Sequence, residues 1–169
     1  LNLKNLELGV DSIEIRIYVD IALILPHRLI IIKNENNVWS ATSIEYWTHI
    51  PTTQERDYDS TIWINKHYNR VVDSSQSFNI TPKCSWGSLM DSLNNLKIHQ
   101  LPSQEDIKGF EDIVSDGICY HFEIATKGRY KFYTYHCPEF YNDEYNKAAT
   151  DIIKLIGSQV SAIISCKDI

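Results

Sequence analysis

Four cysteines and six histidines are the side chains most able to supply a nucleophile, a base or a metal ligand, and their spacing limits what they can do. Cys84, Cys119, Cys137 and Cys166 include no CxxC pair, so zinc-ribbon and thioredoxin-type chemistry has no local support. None of His27, His49, His67, His99, His121 and His136 stand four apart, the spacing that puts two ligands on one helix face. The glycines, at 9, 87, 109, 117, 128 and 157, are too scattered to form a phosphate-cradling loop. There is no GxSxG, HExxH or EF-hand pattern. Two chemistries survive. One is a Cys–His or Asp site assembled from residues distant in sequence. The other is a carboxylate pair drawn from Asp112, Asp116 and Glu123. No catalytic residue, metal ligand or cofactor is assigned. The even cysteine count allows two disulfides in any of three connectivities, or four buried thiols.

Binding residues are the stronger signal. Trp39, Tyr46, Trp47, Tyr58, Trp63 and Tyr68 concentrate within residues 39–68. Tyr and Trp anchor protein interfaces, but they also suit ordinary strands. Residues 50–61 are polar and contain Pro51, as an exposed connection would. Trp47, Arg56, Asp57, Tyr58 and Asp59 are therefore the candidate partner-binding residues, an acidic loop beside aromatics that suits a basic partner.

The elements that would position these residues follow from periodicity. Residues 13–19 alternate Ile/Val with Glu, Arg and Tyr, the pattern of a half-buried strand. Residues 28–33 and 38–49 read as a hairpin around the Asn34-Glu35-Asn36-Asn37 turn. A further strand is expected over 61–72 and a loop over 74–82, which contains the glycosylation triplet Asn79-Ile80-Thr81. Trp86, Leu89, Met90 and Leu93 fall at helical spacing after a capping Ser85. Ser103 and Asp106 suggest a short second helix, with Ile107, Phe110 and Ile113 on one side. Residues 118–125 and 129–137 make the clearest hairpin. Face chemistry selects a three-residue loop, Thr126-Lys127-Gly128, with Ala125 opposite Arg129. That register groups Tyr120, Phe122, Ile124, Tyr130 and Phe132 on the helix side, pairs Glu123 with Lys131, and separates His121 from His136. A last helix runs from about Asp143 to Leu155 or beyond, with Gly157 near its end.

Composition fits these elements into a single α+β domain over 1–169, an antiparallel β-sheet meander with two or three helices packed on one face. The chain is 43% hydrophobic and 22% charged, close to globular averages. At 169 residues it buries enough surface to fold without a metal or disulfide. Its net charge of −6 disfavours nucleic acid or an anionic membrane as partner. No apolar run approaches a membrane span.

Trp86, Leu89, Leu93, Leu101-Pro102 and the run Asp116-Gly117-Ile118-Cys119-Tyr120-His121-Phe122-Glu123, followed by a Tyr-rich strand and a C-terminal helix, carry a resemblance. Over residues 86–156 the chain resembles small uncharacterised bacterial α+β proteins, often exported or lipid-anchored, with a DGxxYxxE hairpin. The resemblance implies an α+β fold and export or a periplasmic location, and it brings no catalytic residues. By type rather than by motif, small acidic α+β proteins of this kind resemble immunity proteins. The expected function is a non-enzymatic protein-binding module, an immunity protein neutralising a bacterial toxin that has a basic surface. The alternatives are a hydrolase-like enzyme with a Cys/His/Asp site built from distant residues, or a structural cell-envelope protein.

Overall fold

The computed structural model describes residues 1, 3–21, 26–49 and 71–160. Strand β1 (Ile13–Ile21) is where the alternation is cleanest, and it lies inside the sheet rather than at its edge. β2 (His27–Glu35) and β3 (Val38–His49) form the expected hairpin. Asn36 and Asn37 close it with φ of 51° and 64°, the left-handed pair that a two-residue hairpin turn requires. β4 (Val71–Ile80) pairs antiparallel with β3, with a register shift at Trp47/Thr48. β5 (Ile118–Thr126) and β6 (Arg129–His136) form the second hairpin.

The antiparallel sheet has the order β4-β3-β2-β1-β5-β6. Its first four strands follow meander order, but β5 joins the far side of β1, so the sheet is not a simple meander. Residues 81–117 carry the chain from one edge to the sheet centre. They include helix α1 (Trp86–Asn95), which Ser85 caps by accepting from the Ser88 amide at 3.1 Å. Helix α2 (Glu144–Gln159) starts at Asp143, which accepts from the Tyr145 and Asn146 amides, and it continues through Gly157.

Both helices enter one continuous core. Leu89 and Leu93 of α1 and Ala149, Ile152 and Ile156 of α2 join Ile15, Ile17 and Val19 of β1, Ile30 and Ile32 of β2, and Phe122 of β5. Trp39 stacks on Trp86 with ring centroids 5.9 Å apart, so this end of β3 lies against α1. The opposite face of the sheet is covered as well. Tyr18, Leu29 and Tyr46 form a smaller cluster there, with Leu1 and Leu3 packed against it.

The register of the β5–β6 hairpin differs from expectation by one residue. Thr126 pairs with Arg129 across a two-residue loop, Lys127-Gly128, with Gly128 at φ 73°. Tyr133 and Tyr135 therefore face the helices with Tyr120 and Phe122, while Tyr130 and Phe132 share the other face with Glu123. A one-residue slip exchanges the two faces of a strand. Polarity does not rank the two faces because β5 is buried on both, so its apolar and polar sides do not separate core from solvent. Lys131 lies on the helix side after all, at its margin, with its ammonium 5.8 Å from the Tyr133 ring centre. His121 and His136 now share a face, yet each has its own partner, Thr134 and Asp112 respectively. No metal-holding cluster occurs among the described residues.

Two loop readings also change. Residues 74–80, including Asn79 and Ile80 of the glycosylation triplet, belong to strand β4 rather than a loop. The expected helix after Ser103 is only a 3₁₀ turn, Gln104–Asp106, and the Ser103 side chain caps nothing in it. Gly109, at φ 78°, turns the chain where that helix would continue. The expected 61–72 strand lies outside the described residues except for Val71 and Val72 of β4.

Cys137 is disulfide-bonded, whereas Cys84 and Cys119 are not in a disulfide. The sequence holds one further cysteine, Cys166, outside the described residues. Thiol titration of denatured, unreduced protein is expected to find two thiols. Finding four would show that Cys137 is reduced in the protein as isolated. Reduction is expected to cost on the order of 2–5 kcal/mol of stability.

Candidate functional site

Two groups of side chains have the density of polar contacts expected of a functional site. The first lies on the sheet face away from the helices. Pleating sends Glu14, Arg16, Tyr18 and Asp20 of β1 to that face. The antiparallel pairing sets Arg16 beside Glu123 and Tyr18 beside His121. Arg16, only 4% exposed, donates through Nε to Glu14 Oε1 at 2.7 Å and through Nη1 to Glu123 Oε2 at 3.3 Å. The Tyr18 and Tyr130 hydroxyls donate to the two Glu123 oxygens at 3.1 and 3.2 Å. Burial pushes the Glu123 carboxyl above its ordinary range, against the pull of Arg16 and the tyrosines. Burial and the Glu123 charge also hold both phenols well above their ordinary values, so they stay neutral donors. Both Glu123 oxygens accept from members of this cluster, which is the arrangement of a structural network.

At the far end of the same face, Asp20 Oδ1 lies 2.7 Å from His27 Nδ1, and His27 Nε2 lies 3.1 Å from Thr48 Oγ1. This is the order of a hydroxyl, a base and an orienting carboxylate. The Asp20–His27 contact is close but lacks hydrogen-bond alignment. His27 is 1% exposed and packs against the Tyr46 ring. The geometry positions a histidine, and both His27 and Thr48 are buried.

The second group is at the β6 edge and on the surface. Tyr141 donates to Asp112 Oδ1 at 2.8 Å, and Asp112 Oδ2 lies 3.1 Å from His136 Nδ1. The Phe110 and Tyr141 rings sit 5.1 Å apart, and Ile113 is 70% exposed beside them. Although slight burial opposes it, the Asp112 carboxyl is held below its ordinary value by Tyr141, the Val114 amide and His136, so it stays charged. Gln104 joins the same region to α2 through the Asn146 side chain at 2.6 Å.

Charge concentrates here. Residues 104–117 carry Glu105, Asp106, Glu111, Asp112 and Asp116 against Lys108 alone. Residues 137–147 carry Glu139, Asp143 and Glu144 against Lys147 alone. Eight carboxylates against two ammonium groups equal the whole chain's net charge of −6, so the remaining residues sum to zero.

Of the sequence-derived binding residues, Trp47 lies half-buried on β3, on the side of the strand that Trp39 presents to the core. Arg56, Asp57, Tyr58 and Asp59 lie outside the described residues. The sequence offers Asp112 as half of a carboxylate pair, whereas its partners in the structure are His136 and Tyr141. The charge of residues 104–117 and 137–147 is the sequence signal that marks this edge. Compared with known proteins, the chain matches no family model, no curated protein and no solved structure. No helix among the described residues is long and apolar enough to cross a membrane.

Proposed function

We propose that this chain is a non-enzymatic protein-binding module for a partner with a basic surface, with neutralisation of a bacterial toxin, the role of an immunity protein, as its biological use. The observation that carries this reading is the coincidence of the chain's entire net charge with exposed apolar side chains at the β6 edge. Apolar contacts excluding water, ringed by charge of one sign, are what a complementary protein surface needs. The contact surface then centres on Glu111, Ile113, Asp116 and Tyr141, with Trp47 and the 56–59 segment as a second candidate region.

A pull-down from native lysate with mass spectrometry is the direct test. Replacing Glu111, Asp116 and Glu144 together by Gln, Asn and Gln is expected to weaken the captured partner at least about tenfold and to flatten its salt dependence, since exposed charges steer association. The pair Trp47→Ala and Tyr58→Ala tests the second region. Loss of the partner only in the Trp47/Tyr58 variant would move the surface to β3. No basic partner at all would end the reading.

A second reading rests on the Asp20–His27–Thr48 geometry: a hydrolase-like site that activates the Thr48 hydroxyl. Labelling of Thr48 by an activated ester or fluorophosphonate, abolished by His27→Gln, would support it. An unlabelled Thr48 leaves the three residues as a buried polar contact.

A further inference from the structure

We propose that the free edge of β4 is the interface of a homodimer, in which two copies pair β4 to β4 antiparallel and extend the six-stranded sheet to twelve strands. Among the described residues β3 is the only strand partner of β4, and residues 73–79 are exposed. Natural edge strands are normally protected by lysine, proline or a covering segment. Residues 74–81 contain no charged residue and no proline, and the neighbouring Asp73 is engaged by His49. Phe78 projects from this strand and is 50% exposed.

The opposite edge is engaged at its Thr134–His136 end. Ser103 Oγ accepts from the Thr134 amide at 3.3 Å. The Gln104 side chain accepts from the His136 amide at 2.8 Å and donates to the His136 carbonyl at 3.1 Å, as a neighbouring strand would. Pairing through β4 alone, about a two-fold axis, gives a closed dimer rather than a fibre. A second copy fits this edge better than a foreign strand does. Ser, Gln and Asn side chains offer donors and acceptors that match their own copy, and no charge is present to select another sequence. The chain's negative charge does not oppose the pairing. It lies at the β6 end, five strand spacings or roughly 24 Å from β4, against a Debye length of about 8 Å. The dimer also leaves the β6 surface free, so it does not depend on the basic-partner reading.

The test is the solution mass of the full chain by light scattering or sedimentation at micromolar concentration, with two surface variants. Wild type is expected to show twice the chain mass. Ser75→Lys with Ser77→Lys, and separately Ser75→Glu with Ser77→Glu, are expected to be monomeric with unchanged far-UV circular dichroism. Mixing the two variants is expected to restore the dimer, because opposite charges then meet across the interface. Hydrogen exchange on wild type supplies a measurement that needs no variant: β4 amides should gain protection as concentration rises. A monomeric wild type, a dimer that both variants retain, or β4 protection independent of concentration would overturn the proposal.

Discussion

Replacing Arg16 by Met is expected to remove about 3–5 kcal/mol of stability, the usual consequence of deleting one partner of a buried ion pair. The cost comes from what is left behind. Glu123 would keep its burial and its two phenol donors but lose the guanidinium, and Glu14 would lose its 2.7 Å partner. The pH dependence separates this cause from lost packing. Glu123 is already held above its ordinary value by burial, so in the window between the unfolded and folded values the native state binds more protons than the unfolded chain. Stability contributed by that protonation falls as pH rises through the folded value. Without Arg16 the folded value rises further. The variant's deficit should therefore be largest at neutral pH and shrink as pH falls towards about 4.3, the ordinary Glu range. Denaturant unfolding at several pH values measures this directly. A deficit that stays constant with pH would show that Glu123 is not the residue left unpaired. Adding Glu123→Leu to Arg16→Met is expected to recover much of the loss, since an apolar pair of similar volume removes both charges at once.

How far the sequence could be read depended on whether one face or two were covered. The alternation in β1 located that strand, but it could not reveal that the polar half of the pattern is buried too. Arg16 and Glu123 carry the charges that normally mark a solvated face, and their hydrogen bonds to each other and to Tyr18 and Tyr130 are what let them leave water. The same double burial hid the β5–β6 register, where two tyrosine-bearing faces compete and side-chain polarity cannot rank them. Signals that depend only on local backbone chemistry were legible: the Asn36-Asn37 turn, the Ser85 cap and the Asp143 start of α2. β4 escaped because its Ser- and Asn-rich sequence resembles loop composition. An edge strand with both faces exposed has no apolar alternation to show, and its pairing is fixed by β3 alone. The acidic surface was countable from the sequence, but joining residues 104–117 to 137–147 required contacts such as Tyr141 with Asp112 and Phe110.

Gln104→Ala is expected to cost on the order of 3 kcal/mol and to change the assembly as well as the stability. The side chain is 4% exposed and replaces a strand for one residue of β6. Its removal would strand the His136 amide and carbonyl together with the Asn146 Oδ1 atom, and each buried polar group left unsatisfied costs roughly 1–3 kcal/mol. Asn146 is itself fully buried and donates to Asp143 Oδ2 at 2.6 Å, so the loss propagates to the cap of α2. Gln104→Glu separates the contributions, because its carboxylate still accepts from the His136 amide but can no longer donate to the carbonyl or to Asn146. It should be intermediate in denaturant unfolding if both arms contribute, and equal to Gln104→Ala if only the donor arm matters. The assembly consequence follows from closure. With the β6 edge opened, each chain would present two free edges, and pairing through both would continue without limit. Sedimentation of folded Gln104→Ala is then expected to show species larger than a dimer, increasing with concentration, and the Ser75→Lys/Ser77→Lys changes in the same chain should hold it at or below a dimer. If folded Gln104→Ala remains the size of the wild type at every concentration, Gln104 anchors β6 to α2 and guards nothing.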